Sequence, residues 1–348
     1  MHDGLLAPGS GDVRPASGKL LDTAFTRQVG VEVPIICGAM YPCTNPELVA
    51  SVSEAGGIGI IQPVSFTYVY GLDFREGVRR IRSLTAKPIG MNVLIEKSSK
   101  SYRERMDRWL EIALEEGVRF FITSLGKPDW VVKRVHEAGG LVYHDVTERR
   151  WAEKGIDSGV DGLIAVNNRA GGHAGGRSAT ELHGMLSDYG LPLICAGGIG
   201  SEADFVAALR MGYAGVQMGT RFIATPECGA SEAYKRAIVA ARETDIALSE
   251  RITGVPVSVI ATPKVRRLGL KAGFLARWLL RGRRTRHLMR MLYTLRSLRQ
   301  LKRASLDATG DNDYWQAGKS VDGIDTVEPA GEIVRRYAAA AGLRDARA

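Results

Sequence analysis

The chain has 348 residues, 45% of them hydrophobic and 24% charged, with 41 glycines. This is globular composition, long enough for one large α/β domain and an accessory piece. No apolar run reaches membrane-spanning length and the opening residues show no signal-peptide pattern, so a cytoplasmic protein is expected. The net charge of +9 is concentrated: residues 264–304 hold 14 Lys or Arg and no acid, which leaves −5 for the remainder.

Residues 1–22 are rich in Gly, Pro, Ser and Ala and read as a loose N-terminal tail. Short apolar runs then recur with helical patterns between them. The first is Pro34-Ile35-Ile36, followed by a helix from about Asn45 to Glu54, where Asn45 can cap and Pro46 suits the first helical position. Next come Ile58–Ile61, Ile89–Val93, Phe120–Thr123, Leu141–His144, Gly162–Val166, Leu193–Ala196 and Gly215–Met218. Their starts lie roughly 20 to 31 residues apart, the spacing of parallel strands joined by crossover helices. Eight such units predict an α/β fold, a closed (β/α)8 TIM barrel over residues 23–228. An open doubly wound sheet is the alternative, but Cys37-Gly38-Ala39-Met40 is not the phosphate-binding turn expected after its first strand.

Beyond the barrel, residues 229–325 are expected to form a helical lid that includes the basic stretch 264–304, and residues 326–348 a C-terminal helix. Leu288, Met291, Leu292, Leu295, Leu298 and Leu301 recur at spacings of three and four, one apolar helical face with arginines elsewhere. Solvated arginines on a packed lid, an electropositive rim for an anionic ligand, and docking on an anionic membrane surface all fit this pattern. No groove-reading motif supports nucleic-acid binding.

Barrel enzymes place their chemistry on the loops after the strands. The most unusual loop here is Asn168-Arg169-Ala170-Gly171-Gly172-His173-Ala174-Gly175-Gly176, which follows the sixth strand. Its glycines let backbone approach a ligand, and His173 can exchange a proton near neutral pH. Ala196-Gly197-Gly198-Ile199-Gly200 after strand seven and Met218-Gly219-Thr220-Arg221-Phe222 after strand eight are glycine turns that feed helices, where barrels bind phosphate through backbone N–H groups. Cys37, Cys43, Cys195 and Cys228 have no zinc or CxxC spacing, and His136, His144 and His183 lack ligand companions, so free thiols and no metal are expected. Arg169, Tyr41, Tyr68 and Cys43 are further candidates for the pocket, each with an ordinary packing or surface role as the competing reading.

Ala55-Gly56-Gly57-Ile58-Gly59, Gly90-Met91-Asn92-Val93, Ala170 to Gly175, Ala196 to Ile199 and Gln217 to Phe222 together resemble the nitronate monooxygenase family, formerly 2-nitropropane dioxygenase, which includes FMN-dependent enoyl-acyl-carrier-protein reductases. The similarity runs from about Thr26 to Ile260 and returns at Trp315-Gln316-Ala317-Gly318. It implies non-covalent FMN at the strand ends, with Gly38, Ala39 and Met40 against the ring system and Asn92 hydrogen-bonded to it. Gly197, Gly198, Gly219 and Thr220 would hold the phosphate, and Gly175, Ala196 and Gln217 complete the implied set. His173 matches the active-site histidine. Cys37, Gly176, Asp145 and Lys319 depart from the residues common in the family at those places; Asp145, after strand five, stands where some members have a Lys.

The resemblance implies an FMN oxidoreductase, first of alkyl nitronates or nitroalkanes with O2. The alternatives are redox chemistry on a coenzyme A or acyl-carrier-protein thioester, NAD(P)H-dependent flavin reduction, or a ligand-binding barrel with a docking lid. A homodimer is left open.

Overall fold

The computed structural model describes residues 20–95, 100–250, 256–271, 301–303, 305–306 and 314–345. Eight parallel strands close on themselves in sequence order: β1 (Ile35–Cys37), β2 (Ile58–Ile61), β3 (Ile89–Leu94), β4 (Phe120–Ser124), β5 (Leu141–Val146), β6 (Gly162–Val166), β7 (Leu193–Ala196) and β8 (Gly215–Met218). The expected TIM barrel is therefore the fold. The Asn45 side chain accepts from the Leu48 N–H ahead of the helix Pro46–Glu54, as its sequence predicts.

Side chains alternate between two cores, because successive residues of a strand face opposite ways. Outward residues such as Met91, Val93, Leu163 and Val216 pack under the helices. Inward residues fill the barrel in layers, each drawn from alternate strands. Stepping from Ile36 through each paired residue around the sheet re-enters β1 eight residues along, the shear usual for this barrel. That shear groups Ile36, Gly90, Tyr143 and Ile194 in one layer and Ile60, Ile122, Ile164 and Gln217 in the next. Above them lie Gly38, Asn92, Asp145 and Ala196.

The interior glycines make room for aromatics. A Cβ on Gly90 would stand 2.9 Å from the Phe120 ring, and one on Gly162 would stand 2.4 Å from atoms of the Tyr143 ring. From below, the helix Ala24–Val29 inserts Phe25 edge-on against Phe120 and Tyr143, at 5.8 Å from each. The Tyr143 hydroxyl donates to Gln28 Oε1 at 2.7 Å. The lower end is closed, so a ligand can enter only from the ends where the strands finish.

The described part of 229–325 is not helical throughout. After the helix Glu232–Ala240, β9 (Ile246–Ser249) and β10 (Val257–Ile260) form an antiparallel pair. Val257 and Val259, alternating with Ser258, favour a pleated ribbon over a helix. The helix Pro263–Leu268 follows. The expected two-helix lid falls mostly on 272–300, outside the described residues, as does the tail up to residue 19. The C-terminal helix spans Ala330–Asp345 and packs on the helix Glu202–Arg210, with Phe205 and Tyr337 ring centroids 5.8 Å apart. No described helix is long and apolar enough to cross a membrane.

Candidate active site

The sixth loop is built rather than loose. Asn167, fully buried and immediately after β6, accepts the Arg169 N–H at its Oδ1 (2.8 Å) and donates from Nδ2 to the Gly197 carbonyl (2.9 Å). It thereby ties the turns after β6 and β7 together. Sequence reading passed over it; its place at the head of an Asn-Asn pair straight after a strand was the available signal. Gly197 has φ +114°, and a Cβ there would meet Asn167 Oδ1 at 2.5 Å, so only glycine fits. Gly175 is held beneath the loop, where a Cβ would overlap the Val166 carbonyl and come within 3.3 Å of Thr147.

The other side of the loop is clamped by distant segments. The Ser258 N–H of β10 donates to the Gly172 carbonyl (2.8 Å), and the Lys319 N–H donates to the Arg169 carbonyl (2.9 Å). The Gly318 N–H donates to Thr220 Oγ1 (2.9 Å), which brings residues 316–319 across the turn after β8. His173 thus projects from a backbone fixed on both flanks. The residue is exposed, yet the protein around its ring removes enough water to lower its pKa from 6.5. At neutral pH it is an uncharged imidazole able to accept a proton.

The turns after β1 and β8 meet. A Cβ on Gly38 would stand 3.1 Å from Gln217 Cγ, so the Gln217 side chain lies across the bare face of that glycine. Its Oε1 is sealed from solvent and has no donor. Met40 Sδ lies 3.5 Å from the Cβ position of Gly219, and Met40 N–H donates to Thr44 Oγ1 (2.8 Å). Ala39 packs against the barrel interior. Asn92 from β3 and Ala196 from β7 share the layer of Gly38, one above that of Gln217. Both Asn92 and Asp145 lie within their strands rather than in the loops, since β3 runs on to Leu94 and β5 to Val146.

Among the described residues, the backbone N–H groups of Gly198, Ile199, Gly219 and Thr220 donate to no protein acceptor. The Thr220 hydroxyl accepts from Gly318 and keeps its own hydrogen to give. Amides grouped at two adjacent turns suit an oxyanion. The unpartnered Gln217 carbonyl suits the single ring N–H of a flavin, and the small Gly38 and Ala196 leave the floor open for a flat group. The residues present fit such a cofactor.

Several other candidates lie elsewhere. Tyr68 is exposed, edge-on to Trp109 and under Arg105 on the outer surface. Cys43 is buried against Cys228, and its thiol pKa is pushed up. Cys37 faces the outer core. Tyr41 packs with Val257, Val259 and Val265. His136 bonds Asp161 (2.9 Å), His183 lies edge-on to Tyr213, and His144 bonds Thr123. Arg169 is committed to Glu243 (2.7 Å), which also holds Lys319 (3.2 Å), and Arg169, Lys319 and Gly198 line a recess of about 470 Å³.

A closed parallel barrel with bare amides after β7 and β8 and a neutral imidazole on the loop after β6 is the plan of an enzyme that works through a phosphorylated cofactor. The sequence profile "Nitronate monooxygenase" matches residues 22–338, and the chain belongs to that family of flavin oxidoreductases. It is similar to "(3aS,4S,5R,7aS)-5-hydroxy-7a-methyl-1-oxo-octahydro-1H-indene-4-carboxyl-CoA dehydrogenase" of Rhodococcus jostii (strain RHA1), 30% identical over 71% of this chain and 68% of the relative. A probable nitronate monooxygenase of Staphylococcus saprophyticus is 30% identical over 68% of this chain and 78% of its own. Among solved structures, FabK of Thermotoga maritima superposes with a TM-score of 0.74 at 26% identity, covering 93% of this chain and 96% of that one.

Proposed function

We propose that the protein is an FMN-dependent monooxygenase of alkyl nitronates, and of nitroalkanes after deprotonation, with O2 as co-substrate. The observation that carries this is His173: an imidazole on a loop fixed by backbone bonds after β6, neutral at working pH, beside turns after β7 and β8 with unengaged amides. Gly198, Gly219 and Thr220, with Gly197 shaping their turn, would hold the phosphate. Asn92 and Gln217 would bond the ring, and Gly38, Ala39, Met40, Gly175 and Ala196 would give it space. The bound flavin supplies the two-electron and oxygen chemistry.

His173 takes the α-proton of a neutral nitroalkane at a ring nitrogen. A nitronate already formed does not need that step. Closure of the barrel below by Phe25 keeps bulk water out of the floor.

The second reading is oxidation or reduction of an acyl thioester, supported by the similarity to the CoA dehydrogenase. The same imidazole would serve there, since a proton α to a thioester carbonyl is also acidic. Anaerobic flavin reduction separates the readings. Bleaching by a nitronate but not by NAD(P)H or an acyl-CoA supports the first, and the reverse pattern sinks it. A colourless protein that refuses added FMN would instead be a binding module.

A further inference from the structure

The layer that floors the mouth contains one ionisable side chain, Asp145. By strand parity it faces inward with Tyr143, and the register places it level with Asn92, opposite Gly38. Asn92 and Asp145 make one half of this floor polar, while Gly38 and Ala196 leave the other half bare. Solvent reaches part of Asp145 from above, but its Oδ1 is sealed and has no hydrogen-bond partner. A buried polar atom left in this state costs stability, which a ligand partner would recover.

Among the described residues, no cation faces this carboxyl. Its neighbours on the flanking strands are Ser124 and Ile164. In the layer below, Tyr143 turns its hydroxyl down to Gln28. His144 points the other way, to Thr123. Above, His173 hangs from the loop after β6, and burial alone lowers its pKa. Burial alone likewise raises Asp145, to about 7.

We infer that Asp145, as a neutral carboxylic acid, donates a hydrogen bond to the flavin in the mouth and so makes cofactor affinity fall as pH rises. The inference rests on the FMN reading above. A flavin ring edge offers several acceptors (two carbonyl oxygens and two ring nitrogens) against one N–H. A carboxylate, which only accepts, would be repelled by most of that edge, whereas the protonated form has a hydrogen to give. Ligand that binds the protonated form takes up one proton wherever the free group is ionised. No redox step is involved.

The test is titration of the full-length apoprotein with FMN, followed by quenching of flavin fluorescence between about pH 7 and pH 9. The FMN phosphate, with its second pKa near 6, is already dianionic there. For the native chain Kd should rise by up to about tenfold per pH unit. Asp145→Asn keeps a donor that does not titrate, so its Kd should stay level and match the native value at the low-pH end. Asp145→Leu should bind weakly at every pH, and thermal unfolding verifies that each variant is folded. Equal slopes in the native chain and Asp145→Asn, or native affinity in Asp145→Leu, overturn the inference alone. A native chain that takes up no FMN at any pH overturns both the FMN reading and this inference.

Discussion

Thr220 Oγ1 accepts a hydrogen bond of 2.9 Å from the backbone N–H of Gly318, 98 residues away in sequence. Both residues are buried, and Gly318 lies so close to the loop bearing His173 that a Cβ on it would meet Gly171 N at 2.6 Å. One hydroxyl therefore joins the turn after β8, the returning segment and the histidine loop. Thr220→Val keeps the shape and strands the Gly318 N–H, which should cost about 1–3 kcal/mol in urea denaturation. Thr220→Ser should stay close to the native value. A valine variant of native stability would show that this contact does not hold the segment.

The eight strands were legible because each is a short, mostly apolar run at the spacing of parallel strands with crossover helices, and the Asn45-Pro46 helix start because Asn45 can accept a backbone N–H there and Pro46 has the fixed φ of a first helical residue. The glycine turns and His173 were legible for the same kind of local reason. What sequence could not show is which residues share a layer. Asp145 was read as lying after strand five because the apolar run breaks at His144; pairing with Ile164 keeps it in the strand, and only the shear sets it beside Asn92. The clamp on the His173 loop by Ser258 and Lys319 was hidden for a similar reason, since it joins positions far apart in the chain. β9 and β10 were missed because the three-and-four apolar spacing of Leu288 to Leu301, further along, led the whole of 229–325 to be read as helical.

Gly200→Ala should undock the C-terminal segment. The added Cβ would fall on the Ser320 carbonyl, and Gly323 already packs so tightly that its own Cβ would stand 2.6 Å from Gly200 C. The Gly200 carbonyl also accepts from the Tyr337 hydroxyl (2.5 Å). Backbone cannot yield as a flexible side chain can, so a loss of about 3 kcal/mol is expected, with faster proteolysis between residues 318 and 345. Gly176→Ala, where a Cβ meets open space, serves as the control and should change stability by less than about 0.5 kcal/mol.

Acid should weaken the fold through His144. This buried imidazole bonds Thr123 Oγ1 (2.8 Å), and burial lowers its pKa from 6.5 to about 4. The unfolded chain therefore binds the proton first. The contribution is intact above pH 6.5 and is lost progressively as pH falls toward about 4, to a total of roughly 3 kcal/mol. His144→Asn, polar and non-titrating, should flatten that part of the stability profile measured by denaturant at several pH values. An unchanged slope would assign the acid sensitivity to other groups.

His173 carries the proposed chemistry, and its removal discriminates between a base and a structural side chain. The loop is fixed by backbone bonds at Arg169 and Gly172, none of which uses the imidazole. His173→Ala should therefore fold, bind flavin and keep its colour. Loss of a positioned base lowers kcat/KM on a neutral nitroalkane by about 10²- to 10⁴-fold. The corresponding nitronate, already deprotonated, should be turned over at near the native rate. The base acts in its neutral form, and burial lowers its pKa from 6.5, so native kcat/KM on the nitroalkane should be level at neutral pH and fall only below 6.5. Equal losses on both substrates, or an acid limb centred above 6.5, would mean that the imidazole does not take the proton.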